Sequence, residues 1–189
     1  MSTSPAGQPL QQRVAAAILE GAARTFALQG PGASMNDVAA AAGVARATVY
    51  RYFPTRQALL DELALLALRE ADERIVSARI DEVPTHEAVS RAVRALVDIG
   101  DAFVVLAREK LGGSEFDRAL AGPVARLLER GQASGDIRGD LPVPWLRDTL
   151  LGIALSVLIA RRSQGREDTV AAITSLFLDG ARRRGPQLP

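Results

Sequence analysis

Apolar residues recur along this chain at intervals of three and four, the spacing that lines one face of an α-helix, and no stretch sustains the alternation of a strand. Leu10, Val14, Ile18, Ala22 and Phe26 stand at every fourth position. They predict a first helix over residues 9–29 that the run Gly30, Pro31, Gly32 ends. This face is expected to close a three-helix head over Val38, Val44, Val49 and Phe53. Ser34 is followed three residues later by Asp37. Such a pair starts a helix, since the hydroxyl can accept from the backbone while the carboxylate reaches back and favours the positive helix end. Gly43 can take the left-handed conformation that stops that helix, with Val44 as the buried contact of the turn. A second short helix is expected from Arg46 to Phe53, with Val49 and Phe53 on one side, and Pro54 discourages its continuation.

Downstream, Thr55 is placed to cap a long helix reaching residue 80, about 39 Å at 1.5 Å per residue. Its first half is apolar on more than one side, which predicts burial by two neighbours, and its second half is mostly charged. Further helices are expected over 84–110, 123–134, 144–162 and 166–183, with a short piece at 115–121. The fold class is therefore all-α, with about nine helices and no internal repeat.

Two helices around a Gly turn, the second mixing basic, small and hydroxyl side chains, describe a DNA-reading helix-turn-helix at residues 34–53. The wording of the stretch says more. G-V-A-R-A-T-V-Y-R-Y-F-P-T-R-Q-A-L-L, with A-A-R-T-F-A-L-Q-G ahead of it, resembles the signature of the tetracycline-repressor-like (TetR) family of bacterial transcriptional regulators. The resemblance covers roughly residues 12–65, and the closing A-I-T-S-L-F-L-D-G-A-R is also similar. Ala45 departs from the family's usual Ser or Thr cap, which removes one cap hydrogen bond worth about 0.5–2 kcal/mol.

The resemblance implies a three-helix head followed by a helical bundle. Residues 1–9, M-S-T-S-P-A-G-Q-P, lack a basic region and an apolar run and read as a disordered leader, while the resemblance makes 10–70 the DNA-binding part with the start of the connecting helix and 71–189 a ligand-binding and dimerisation part. It also implies that Arg46 meets a guanine edge or a phosphate, that Ala47 and Thr48 approach the bases, and that Tyr50 and Tyr52 hold phosphates through their hydroxyls. Arg56 stands where the family usually has a phosphate-binding Lys. Ser34 and Asn36 lie at a helix start whose N–H groups suit phosphate.

Charge changes the picture only modestly. The net charge is +1, but the first 60 residues carry +3 and the remainder −2, a basic head on a slightly acidic body. The absence of Cys removes disulfides, thiol nucleophiles and Cys-based zinc sites. A cytoplasmic, nucleoid-associated protein is expected, with no cofactor, no metal and no membrane partner. The longest apolar stretch, residues 149–160, is shorter than the roughly 20 residues a membrane span needs.

Gly152, Ser156 and Ala160 form a small-residue face, and Val170, Ile173 and Phe177 an apolar face on the last helix. Together they predict a homodimer seam of two helices from each chain. Leu66, Phe103, Leu106, Phe116, Leu127 and Trp145 are candidates to line an effector cavity, with Arg69 or His86 as polar contacts. No His pair, G-x-S-x-G or phosphate-cradling loop supports an enzyme. The expectation is a ligand-released repressor bound to double-stranded operator DNA. The alternatives are a helical scaffold without DNA binding and a helical-bundle enzyme.

Overall fold

Capping chemistry sets the helix boundaries in the computed structural model, which describes residues 10–160 and 165–182. Its α-helices are α1 (Leu10–Gln29), α2 (Met35–Ala42), α3 (Arg46–Tyr52), α4 (Arg56–Ala78), α5 (Thr85–Arg108), α6 (Gly113–Phe116), α7 (Gly122–Ser134), α8 (Val143–Ala160) and α9 (Arg166–Ala181). A π-helical turn, Asp117–Ala121, joins α6 to α7. Among the described residues extended pairing is limited to one bridge, Ile137 with Arg182. The leader at 1–9 and the predicted helix ends at Arg162 and Arg183 lie outside the described residues.

Ser34 Oγ accepts from Asp37 N at 3.2 Å, and Asp37 Oδ2 accepts from Ser34 N at 2.9 Å, so both halves of the expected cap are formed. Gly43 ends α2 at φ 66°, a conformation that costs other residues a steric clash. Thr55 Oγ1 accepts from Ala58 N at 3.0 Å and starts α4. Ala45 starts α3 with no side-chain cap, as its identity requires.

Two apolar cores share α4 and α5. The first gathers Ile18, Ala22 and Phe26 with Val38, Val49, Phe53, Leu59 and Leu60, and it also takes in Val104 and Val105 from α5. The second spans the rest of α4 and α5 with α7, α8 and α9. Leu10 departs from the predicted face: it is 73% exposed, because the first turn of α1 runs past the core. Leu65 and Leu66 are also exposed, since neighbours cover two sides of α4 and leave this third strip open.

The helix α5 is not the uniform rod its periodicity predicts. Gly100 sits at φ 41°, ψ −111°, a break only glycine makes at low cost, and it kinks the helix. Past the kink, Phe103 and Leu106 enter the second core while Val104 and Val105 enter the first. At the other end of the head, α1 and α2 meet backbone to side: a Cβ on Gly21 would stand 2.9 Å from Ala42 N.

Candidate nucleic-acid interface

Val49 is fully buried and Phe53 nearly so, and these two anchor α3 to the head. The anchoring leaves Arg46, Ala47, Tyr50 and Arg51 exposed. The Arg46 guanidinium lies over the Tyr50 ring at 5.2 Å from its centroid, which pre-orders a charge and a hydroxyl on one outward strip. Thr48 and Tyr52 are half-buried. Tyr52 leans toward α1, lining a shallow cleft with Leu10 and Val14, and Arg51 covers its ring at 5.4 Å. Arg51 therefore belongs with the exposed basic groups. Arg51 is not among the contacts the family resemblance implies, although its position opposite Val49 and Phe53 marks it as outward.

The start of α2 offers less than expected. The Ser34 hydroxyl donates to Asp37 Oδ2 at 2.6 Å while accepting from Asp37 N, so it is occupied by the cap. Those Ser34 donors, side chain first and backbone second, hold the Asp37 carboxyl below its ordinary value. Asn36 is exposed beside it.

Arg56 is the largest departure. In place of an open phosphate ligand, its Nη2 donates to Glu109 Oε1 at 2.9 Å, and its guanidinium stacks on Phe26 at 4.8 Å. Both partners are partly buried, and Arg56 Nε is buried without an acceptor. A second tie runs alongside: Arg108 Nη1 donates to Ala27 O at 3.0 Å. The end of α5 is thus fastened to the head by two guanidinium contacts. Arg56 and Glu109 are 53 residues apart, so no local pattern announces the pair.

Residues 18–63, which hold this helix-turn-helix and its supporting helices, match the family described as "Bacterial regulatory proteins, tetR family". The head of the chain is similar to that of this family's members. The chain is 38% identical over 90 residues to the HTH-type transcriptional repressor LfrR of Mycolicibacterium smegmatis, an alignment covering 48% of this chain and 47% of that protein. The chain thus spans about half the length of the curated relatives it matches. The crystal structure of LfrR from Mycobacterium smegmatis in complex with proflavine superposes with a TM-score of 0.70 at 28% identity, covering 91% of this chain and 98% of that one. The ketosteroid regulator KstR2 of Mycobacterium tuberculosis shares the fold with a TM-score of 0.73 at 19% identity, over 94% of this chain and 98% of that one.

In this chain the expected effector residues do not converge. Phe103, Leu106 and Leu127 are packed into the second core, because the α4–α5–α7 layer closes around them. Phe116 is half-buried and, with Leu106, borders a small surface cleft, while Trp145 and Arg69 face solvent, as does His86. Leu66 lines a different cavity, between α1, α4 and α5.

The dimer expectation divides in the same way. Gly152, Ser156 and Ala160 are exposed, and Ile159 joins them on an apolar helix of which only Leu146, Leu150 and Ala154 are fully buried. Val170, Ile173 and Phe177 instead fill the chain's own second core, so the stripe on α9 that reads as a seam is internal. The outward face of α9 carries Ser175, Asp179 and Leu176, the last 60% exposed. The helix α8 is longer than the 149–160 stretch, adding Trp145 and Leu146 with the charged pair Arg147 and Asp148: its 18 residues have a mean hydropathy of 1.5. By length and composition alone that is enough to cross a membrane.

Proposed function

We propose that this protein is a sequence-specific, DNA-binding transcriptional repressor that acts as a homodimer in the cytoplasm and is released from its operator by a small organic molecule. The observation that carries the reading is α3: a short helix anchored by Val49 and Phe53, presenting Arg46, Ala47, Tyr50 and Arg51 outward from a basic head. Thr48 adds a hydroxyl and a methyl at the edge of this strip, and Asn36 flanks it. Residues 10–70 form the reading part, and 71–189 the effector and dimer part.

The dimer is proposed through the exposed Gly152, Ser156 and Ala160 face of α8 beside Leu176 of α9. An apolar helix left so open in one chain fits a helix from a second copy, and two α3 helices then meet half-sites about 34–36 Å apart. The LfrR structure holding proflavine supports an organic effector. Control would run through α4, whose first residue, Arg56, adjoins α3 and whose length crosses both cores.

In the DNA-bound state Arg56 is proposed to leave Glu109 for a phosphate. The test begins with duplexes selected from a random pool by the purified protein, which should share a two-fold-symmetric site. Arg46→Ala should then cost about 1–3 kcal/mol at one base pair of each half-site. Failure to select any common sequence would refute the reading.

A further inference from the structure

One carboxylate of α5 holds two helices with different tasks. Asp98 accepts from Arg74 Nη1 of α4 at 3.1 Å. It also takes both forks of Arg166 at the start of α9, whose Nη2 lies 2.6 Å from Asp98 Oδ2 and whose Nε donates to Oδ1. The Asp98 side chain is only 13% exposed, whereas Arg74 and Arg166 reach it from the surface. The contacts continue at both ends. Arg74 also pairs with Glu70 of its own helix, and Arg166 with Glu167, which Arg94 of α5 joins in turn. The partners of Asp98 lie 24 and 68 residues away in the chain. Just beyond it stands Gly100, where the α5 backbone leaves helical geometry.

We infer that Asp98 is a positioning residue: it fixes the rotation of α9 against α4, and through it the separation of the two DNA-reading heads in a dimer. The packing of Val170, Ile173 and Phe177 already holds α9 to the body. Burial of apolar area is non-directional, however, and by itself resists separation more than small rotations. A guanidinium fork on a carboxylate is directional, because two parallel donors are lost when either group turns. Arg74 and Arg166 are partly exposed, so each pair adds little to overall stability and its consequence is geometric. The helix α4 carries the head at its first turn, and α9 flanks the α8 face proposed for the second copy. A carboxylate shared by α4 and α9 therefore sets the angle between reading head and partner chain. The effect on head separation rests on the homodimeric repressor reading above, whereas the seating of α9 against α4 stands without it.

The chain has no Cys, so introduced cysteines can carry spin labels with no others to remove. Labels on Ala40→Cys of α2 and Ala171→Cys of α9, both exposed, report the distance from head to α9 within one chain when diluted with unlabelled protein. Asp98→Asn and Arg166→Gln should each broaden that distance distribution about twofold or more. Arg166→Lys, which keeps the charge without the fork, should broaden it less. Glu82→Gln removes the ion pair with Arg79, outside the junction, and should leave the wild-type distribution. Arg166 stands at the surface, so Arg166→Gln keeps the fold and decides the question if Asp98→Asn does not fold. The wild-type distribution in Arg166→Gln would overturn the assignment. So would equal broadening in Glu82→Gln, which would mean that any lost ion pair loosens the body. On selected duplexes, one base pair inserted between half-sites should cost the wild type about tenfold in affinity or more, and Asp98→Asn about threefold or less. Equal losses would refute the effect on head separation, and a merely structural Asp98 would leave this spacing tolerance unmoved. A wild type that selects no DNA or sediments as a monomer refutes the repressor reading instead, and the label distances still decide whether Asp98 seats α9.

Discussion

Replacing Glu109 by Gln should tighten DNA binding although Glu109 touches no DNA-reading residue of α3. The carboxylate holds Arg56 at 2.9 Å, with the two side chains 33% and 19% exposed. The isosteric amide still accepts from the charged guanidinium but loses the attraction of opposite charges, about 0.2–1 kcal/mol for a partly exposed pair. Part of that loss returns, because Glu109 caps the C-terminal end of α5, where a negative charge is disfavoured by about 0.3–1 kcal/mol. Net destabilisation should then be under about 1 kcal/mol, a fall in unfolding temperature of no more than about 4 °C for a chain of this length.

If Arg56 must leave Glu109 to reach a phosphate, the same weakening favours the bound state. An upper limit of about 1 kcal/mol per protomer corresponds to at most roughly fivefold in affinity, compounded across a dimer. Fluorescence anisotropy on a selected duplex at several salt concentrations measures both affinity and phosphate count. Glu109→Gln should raise affinity with the salt slope unchanged, and Arg56→Ala should flatten the slope by about 0.9 for each phosphate lost. A Glu109→Gln protein that binds no more tightly, beside an Arg56→Ala protein with the wild-type slope, would show that Arg56 only fastens the head to α5.

Ser156→Arg should yield monomers in sedimentation with operator affinity lost, since a second α8 against this face would bury an unpaired charge; a dimer that binds DNA normally places the seam elsewhere. Gly21→Val should cost about 1–3 kcal/mol in denaturant unfolding, because its Cβ meets Ala42 N at 2.9 Å and backbone yields poorly. The control Gly180→Ala meets nothing within 4 Å and should be neutral or stabilising. Asp37→Asn should narrow the acid dependence of unfolding. The lowered Asp37 carboxyl contributes stability above the ordinary aspartate range near about 3.9 and loses it as pH falls through its lower folded value, so the wild type's advantage should shrink only in acid.

What the sequence made legible was local. Ser34 with Asp37, Gly43 and Thr55 act through neighbours three or four residues away, and each cap forms where its spacing places it. The outward set on α3 follows from Val49 and Phe53 in the same way. Relations between distant segments left no such trace. The apolar stripe of Val170, Ile173 and Phe177 looks the same whether its partner is another chain or α5 of its own, and here it is internal. Leu66 reads as lining a cavity shared with Phe103 and Leu127, because periodicity cannot tell which of three apolar sides of α4 lacks a neighbour. Arg56 carries no mark of Glu109, and Gly100 sits in an otherwise regular helical pattern.

The lending of Val104 and Val105 to the first core bears on how freely the reading head can be moved between proteins. A fragment ending at α4 would keep every residue of the helix-turn-helix. It would lose two interior valines, the Arg108 contact to Ala27 O, and the Glu109 partner of Arg56. The head is therefore not a portable cassette. Grafting it onto another regulator's body would require the far half of α5 to travel with it or a matching pair of apolar side chains in the host. Changes in operator preference should accordingly accumulate on the exposed strip of α3, while the residues that seat the head against α5 must change together.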